Sequence, residues 1–298
     1  MKFAAGEPIA GYMRKDNLLK MSNRLGAIAG IAATLSVAVL PAAAGAKTLF
    51  GSGSSAEQPI LNPLFREYAK LNRKIRFVYS PDGGNQGVKD VQARRSEFAI
   101  NTRPPLPSDH STTYIKLYLD GLCVVVNPAN QISNITLGDA KNVFLGLDTN
   151  WNQVAGSNLS TTIDPYGRNS TAGSYTFFQQ AVLGNKTQSS NVVQETSDGL
   201  VATAVSKDTG GIGYVGLAHT GPGSGVKTLT VDRVSCSQST IRNNSYPLWR
   251  WIWAVIPTPG SGARLDPDVE RFINWVATSK IAGQLIGRAG AVPAFNKR

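Results

Sequence analysis

Beyond Lys47 the chain alternates short apolar runs, rich in Val, Ile and Phe, with longer amphipathic stretches. TLFGSG, EQPILNPLFREYAKL, IRFVYS, GVKDVQARR and FAINT follow one another. That order predicts strand, helix, strand, helix, strand, the pattern of an α/β protein with a largely parallel sheet. It resumes after Asn127, where TLGDAKNVFL and AGSYTFFQQAVL predict helices and TTIDPYG and GGIGYVG predict strands. Two α/β units are implied. GLCVVVNP reads as a strand running from one unit to the next, and YPLWRWIWAVIP as a second long strand. DPDVERFINWVATSKIAGQLI supplies terminal helices, with Asp266 and Pro267 as a start signal. No repeat of fixed period is visible, and GPGSG and PTPGSG read as surface turns.

The first residues follow a different pattern. Leu25 to Leu40 is continuously apolar or small, follows Arg14, Lys15, Lys20 and Arg24, and leads into PAAAGA. A basic stretch, an apolar run short of a membrane span and a small-x-small site at Ala44-Gly45-Ala46 predict a secretory signal peptide over 1–46. Cleavage before Lys47 is expected, with an uncleaved anchor as the alternative, and both Met1 and Met21 are open as starts. No lipid-attachment cysteine follows the run, so a protein released into the periplasm or outside the cell is expected.

Composition narrows the chemistry. Of 298 residues, 42% are hydrophobic and 16% charged, which excludes a disordered chain, and two cysteines exclude a disulfide scaffold. Two histidines and two distant cysteines offer no dedicated metal site, so neither metal nor cofactor is expected. The 30 Lys and Arg against 19 Asp and Glu give a charge of +11; five basic and two acidic residues lie before Lys47, leaving +8 beyond it. The positive residues are scattered, which argues against nucleic acid and favours a small anion or an anionic surface. Cys123 and Cys236 could pair in an oxidising compartment, or Cys123 could be a buried thiol within LCVVV.

Three strand-to-helix turns carry the chemistry an anion needs, because helix N-termini present unpaired N–H groups and a positive dipole end. The first is Gly51-Ser52-Gly53-Ser54-Ser55, ahead of a helix with Pro59 in its first turn; its serines could equally cap their own helix. The second runs from Ser80 to Gly87, a phosphate-cradling nest or a turn with an Asp cap, and no Gly-Lys-Ser/Thr follows to make it a nucleotide loop. The third runs from Tyr166 to Ser174, where Arg168 precedes a small, hydroxyl-bearing helix start. An Arg there can offer a bidentate fork, or serve as a surface salt-bridge partner.

Taken in order, these segments resemble the periplasmic phosphate-binding protein of ABC importers. GSGSSAEQPIL resembles that family's opening turn, Tyr79 to Lys89 its second, and FAINTRPPL the segment after the third strand. VVVNPANQISNITLGDAKNVFLGLDTNW is similar to the crossing strand and its helix, and YGRNSTAGSYTFFQQAVLG to the Arg-x-x-x-Ser-Gly-Thr turn. GGIGYVGLAH, YPLWRWIWAV and AGAVPAF resemble a late strand, the return crossing and the C-terminal end. The resemblance implies a two-lobed type II solute-binding protein, α/β in class, each lobe a mostly parallel sheet flanked by helices, with the ligand between them. Lobe I would comprise 47–126 and 246–298, and lobe II 127–245. It implies a monomer that captures inorganic phosphate, delivers it to an ABC permease complex, and catalyses nothing.

The implied ligand-binding residues are Ser54 and Ser55 of the first turn, Gly84, Asn85 and Gln86 of the second, Thr102, and Arg168, Gly173 and Ser174 of the third. Three positions depart from the family pattern. Gly84 stands where a ligand-binding Ser is usual, Thr102 where many members carry Asp, and Ala172 where the last turn has Ser. Hydrogen phosphate has a proton that needs an acceptor, whereas sulfate offers only acceptors, so a lost carboxylate at 102 opens the site to other oxyanions. Thr102-Arg103 resembles a Ser-Arg variant, and Asp82 is either a substitute acceptor or a turn cap. A secreted surface-interaction protein on the same scaffold is the alternative of another class.

Other constellations carry less. His110 and His219 lie in no nucleophile-elbow pattern and no G-x-S-x-G occurs, so surface or turn histidines are expected rather than a hydrolase. Trp249, Trp251 and Trp253 would share one face of a strand, as packing or as a sugar platform. Arg250 resembles an Arg of the family's YPL-x-R pattern and is not assigned to the anion.

Overall fold

The computed structural model describes residues 45–262 and 264–294. The predicted leader therefore lies almost wholly outside the described residues. The chain forms β1 (Lys47–Gly53), α1 (Gln58–Leu71), β2 (Ile75–Ser80), α2 (Gly84–Gln92), β3 (Phe98–Asn101) and β4 (Thr112–Val126). There follow β5 (Asn134–Ile135), α3 (Leu137–Leu145), β6 (Asp164–Arg168), α4 (Gly173–Ala181), β7 (Val193–Glu195), α5 (Asp198–Lys207) and β8 (Gly211–Gly216). Last come β9 (Lys227–Thr228), β10 (Thr230–Val231), α6 (Gln238–Arg242), β11 (Trp249–Pro257), α7 (Pro267–Thr278), α8 (Lys280–Arg288) and β12 (Val292–Pro293).

The main sheet runs β2-β1-β3-β11-β4-β8-β6-β7, with β9 and β12 added to β4. β1 pairs parallel with β2 and β3, and β6 parallel with β7 and β8. Between these parallel blocks β11 and β4 run antiparallel to each other and to β3 and β8. The expected α/β fold with mostly parallel sheets is thus present, and two long strands join its halves. β4 begins at Thr112, well before the predicted GLCVVVNP, because TTYIKLYLD continues the same ladder against β11.

Each block has its own core. One gathers Leu49, Ile60, Leu64, Phe98, Ile252 and Phe272, with Phe65 stacked on Phe77 at 4.6 Å. The other gathers Val124, Phe144, Trp151, Phe178, Val201 and Tyr214, where Phe178 stacks on Tyr214 at 4.1 Å. β4 serves both, giving Leu117 and Tyr118 to the first and Leu122 to Val126 to the second. Fully burying each such side chain contributes on the order of 1.5–3 kcal/mol.

α1 begins with Pro in its first turn, where the missing N–H costs nothing. α7 starts as expected at Asp266, whose side chain accepts from Asp268 N–H. Cys123 and Cys236 form a disulfide spanning 113 positions, which resolves the open alternative. Lys116 Nζ lies 4.9 Å from the Trp251 ring and 5.7 Å from that of Trp253, so these indoles pack against the neighbouring strand. Among the described residues no helix is long and apolar enough to cross a membrane.

Candidate anion-binding site

Three helices start just past the ends of parallel strands: α1 after β1, α2 after β2 and α4 after β6. Their first turns meet around Asn101 and Thr102, at the end of β3. Ser54 N–H donates to Ile100 O at 2.8 Å, Gly83 N–H to Gly53 O at 2.8 Å, and the N–H groups of Asn85 and Gln86 to Thr171 O at 2.9 and 3.3 Å. Thr102 Oγ1 and Ser174 Oγ are 3.5 Å apart. Gly83 has φ +103°, and a Cβ there would press on the Thr171 backbone, so only glycine lets α2 approach the α4 turn this closely.

At the meeting point, unsatisfied donors remain. The N–H groups of Ser55, Ala56, Gly84, Gly173 and Ser174 find no acceptor among the described residues. The buried Ser55 hydroxyl likewise has no partner among them. A buried donor without an acceptor costs about 1–3 kcal/mol, which an anion oxygen would recover. Aligned helix dipoles add a positive end at each turn.

Two buried ion pairs flank the turns. Arg168 donates through Nε to Glu195 O at 3.1 Å and through Nη2 to Thr196 O at 2.9 Å, and its Nη1 pairs with Asp198. Burial pushes the Asp198 carboxyl up, but Arg168, then His219 and Arg250, outweigh it and hold the group below the usual value. Arg250 Nε and Nη2 both reach Asp120 Oδ2, at 3.1 and 2.8 Å, while Nη1 donates to Ser174 Oγ at 2.9 Å. Glu57, the N-cap residue of α1, is buried and accepts from Tyr118 OH at 2.9 Å. Burial, reinforced by Asp120, drives its carboxyl well above the ordinary range.

The predicted residues sort into three groups. Gly84, Thr102, Gly173 and Ser174 come together around Asn101, and Ser55 lies in the first turn, which Ser54 N–H ties to Ile100 O. Ser54 belongs to the turn, but its N–H is used within the fold and its carbonyl accepts from Tyr79 OH. The Asn85 and Gln86 side chains serve the scaffold. Asn85 Nδ2 donates to Ser170 O, Ala172 O and Thr176 Oγ1 while its Oδ1 accepts from Arg103 Nε, which latches α2 to the α4 turn. Gln86 Nε2 donates to Asp90 on its own helix. Arg168 stands beside the turn, anchored at all three nitrogens. Asp82 accepts from Ser80 Oγ at 2.6 Å, the turn-type bond.

The sequence reading missed Asn101, Glu57, Asp120 and Asp198, and left Arg250 unassigned. A Cβ on Gly84 or Gly173 would overlap Asn101 Oδ1, so the glycine at 84 and the amide at 101 fit one another. Asp198 had a readable signal, the Ser197 cap of α5. Arg250 had a motif, YPL-x-R, but no sign of its role, and Asp120 had no signal, because the two meet only through the β4–β11 register. A hollow of about 580 Å³ bordered by Ile132, Asn134 and Arg233 shares no residue with these turns.

The topology and the meeting of helix N-termini define a two-lobed type II solute-binding fold. The sequence model of the PBP superfamily domain matches residues 38–280, and the chain belongs to that family. It is 28% identical to Protein SphX of Synechococcus elongatus, over 86% of this chain and 84% of that one. It is 25% identical to the phosphate-binding protein PstS of Borreliella burgdorferi, over 76% and 83% of the two chains. A phosphate-bound substrate-binding protein from Clostridium perfringens superposes with a TM-score of 0.76 at 19% identity, over 83% of this chain and all of the other.

Proposed function

We propose that the protein captures a tetrahedral oxyanion, inorganic phosphate first, between the opening turns of α1, α2 and α4, and passes it to an ABC import permease. The observation that carries this is the set of unsatisfied donors at that point, capped by the unpartnered Ser55 hydroxyl. Relatives named as phosphate-binding proteins support the choice of anion. In this reading 47–126 with 246–298 forms one lobe and 127–245 the other. Closing them removes water from the anion, and each charge-assisted hydrogen bond strengthens as it does. In this reading the protein works as an exported monomer that holds the anion with donors and turns over no substrate.

One observation favours a broader ligand range. The side chains that line the turns are hydroxyls and an amide, those of Ser55, Thr102, Ser174 and Asn101, while the Asp120 and Asp198 carboxylates are paired with arginines. Without a free carboxylate to accept the proton of hydrogen phosphate, sulfate is not repelled. Calorimetry with phosphate and with sulfate, each at two pH values, tests both readings. Saturable phosphate binding is expected; no heat with either anion would overturn oxyanion capture and favour a surface-interaction role.

A further inference from the structure

We propose that Arg250 is a positioning residue of the anion site, fixing the Ser174 hydroxyl as a donor toward the bound oxyanion. The inference rests on the oxyanion-binding reading above.

Arg250 is 3% exposed and lies directly across the β4–β11 ladder from Asp120. Asp120 Oδ2 takes two of its N–H groups, and Oδ1 accepts from Leu217 N–H at 3.2 Å, so the carboxylate is fixed from two sides. Anchored in this way, the guanidinium reaches α4. Nη1 donates to Ser174 Oγ at 2.9 Å, and its central carbon lies 5.7 Å from the Phe177 ring, one helical turn further on.

A guanidinium carries only N–H donors. Ser174 Oγ must therefore accept from Arg250, and its own hydrogen has to point elsewhere. The neighbouring hydroxyl is Thr102 Oγ1 at 3.5 Å, a long contact that an anion oxygen at the mouth of α4 would displace. With its proton aimed in this way, Ser174 loses no rotamer freedom on binding and presents a hydroxyl polarised by a buried positive charge. Asp120 alone would satisfy a purely structural arginine with its two-nitrogen grip. The third nitrogen, placed on a hydroxyl at the start of α4, is what points to the ligand.

The test is a double-mutant cycle read by calorimetry with inorganic phosphate, with thermal melts in parallel. Arg250→Lys keeps the charge, but one ammonium cannot hold Asp120 and Ser174 as the fork does. It is expected to weaken phosphate binding about tenfold, as is Ser174→Ala, and the double variant should be no weaker than Ser174→Ala alone. Ser174→Thr, which keeps the hydroxyl, should lose less affinity than Ser174→Ala, which removes it. If Arg250→Lys does not fold, Asp120→Asn with Arg250→Gln replaces the pair by neutral amides, and the same non-additivity with Ser174→Ala is expected. Wild-type affinity in the Arg250 variants, or losses that multiply in the combined variant, would overturn the proposal. A wild-type protein that binds no phosphate would instead overturn the functional reading on which it stands.

Discussion

Arg168 and Arg250 are both buried, each paired with one aspartate, and both stand at the opening turn of α4, yet they are held differently. Arg168 donates from every nitrogen to its own surroundings: the Asp198 carboxylate and the carbonyls of Glu195 and Thr196. Arg250 gives two nitrogens to Asp120 and the third to a hydroxyl of the site. A motif arginine near an anion turn is thus not defined by its position in the sequence. What its remaining N–H groups face decides whether it chiefly holds the turn or also orders its donors.

The largest expected effect breaks the first of these pairs. Arg168→Met leaves Asp198 charged at a fully buried position, with only the Gly216 N–H still donating to it. Removing one partner of a buried pair costs about 3–5 kcal/mol, measurable by chemical denaturation. Arg250→Lys, which retains a partner for Asp120, should cost clearly less stability. Equal losses in the two variants would erase the distinction between them.

A smaller effect tests how the turns fit together. Gly84→Ser restores the serine that the family resemblance led us to expect, but its Cβ overlaps Asn101 Oδ1. Overpacking of this kind costs about 1–3 kcal/mol. Gly84→Ser combined with Asn101→Ser should recover most of that stability, because the second change removes the amide that fills the space. If the double variant melts no higher than Gly84→Ser alone, the complementarity of the two positions is wrong.

That pair also shows where the sequence was legible. Local signals sufficed for β1 to β3, whose short apolar runs and flanking turns are self-contained, and for α7, whose Asp-Pro start is a cap seen in four residues. They sufficed for Gly173 and Ser174 because the turn motif is contiguous. Gly84 was legible as a departure but not its reason, since Asn101 lies 17 positions further along the chain and meets it only through the fold. α5 escaped notice because its buried stripe is narrow, Val201, Ala202 and Val205, behind a glycine in the first turn. The Asp120–Arg250 pair, separated by 130 positions, becomes visible only when β4 and β11 align.

The smallest effect concerns pH, and it separates the two arginine regions by sign. Glu57 is raised well above its ordinary value of 4.5 by burial and by Asp120, with Asp198 adding to the rise and Arg250 and the Tyr118 hydroxyl opposing it. The native state therefore binds a proton that the unfolded chain has released, and this contribution is complete below about pH 4.5 and declines as pH climbs toward the raised value. Asp198, held low beside Arg168, acts oppositely: its contribution is present above the ordinary 3.8 and is lost as pH falls through its depressed value. Glu57→Gln keeps a neutral side chain that can still accept from Tyr118 and abolishes only the first dependence. Melting temperatures of wild type and Glu57→Gln, followed from pH 5 to pH 9, should diverge in favour of the variant as pH rises. Parallel curves would mean that Glu57 is already ionised in the native protein, and that the buried charges around Arg250 do not balance with a proton on that carboxyl.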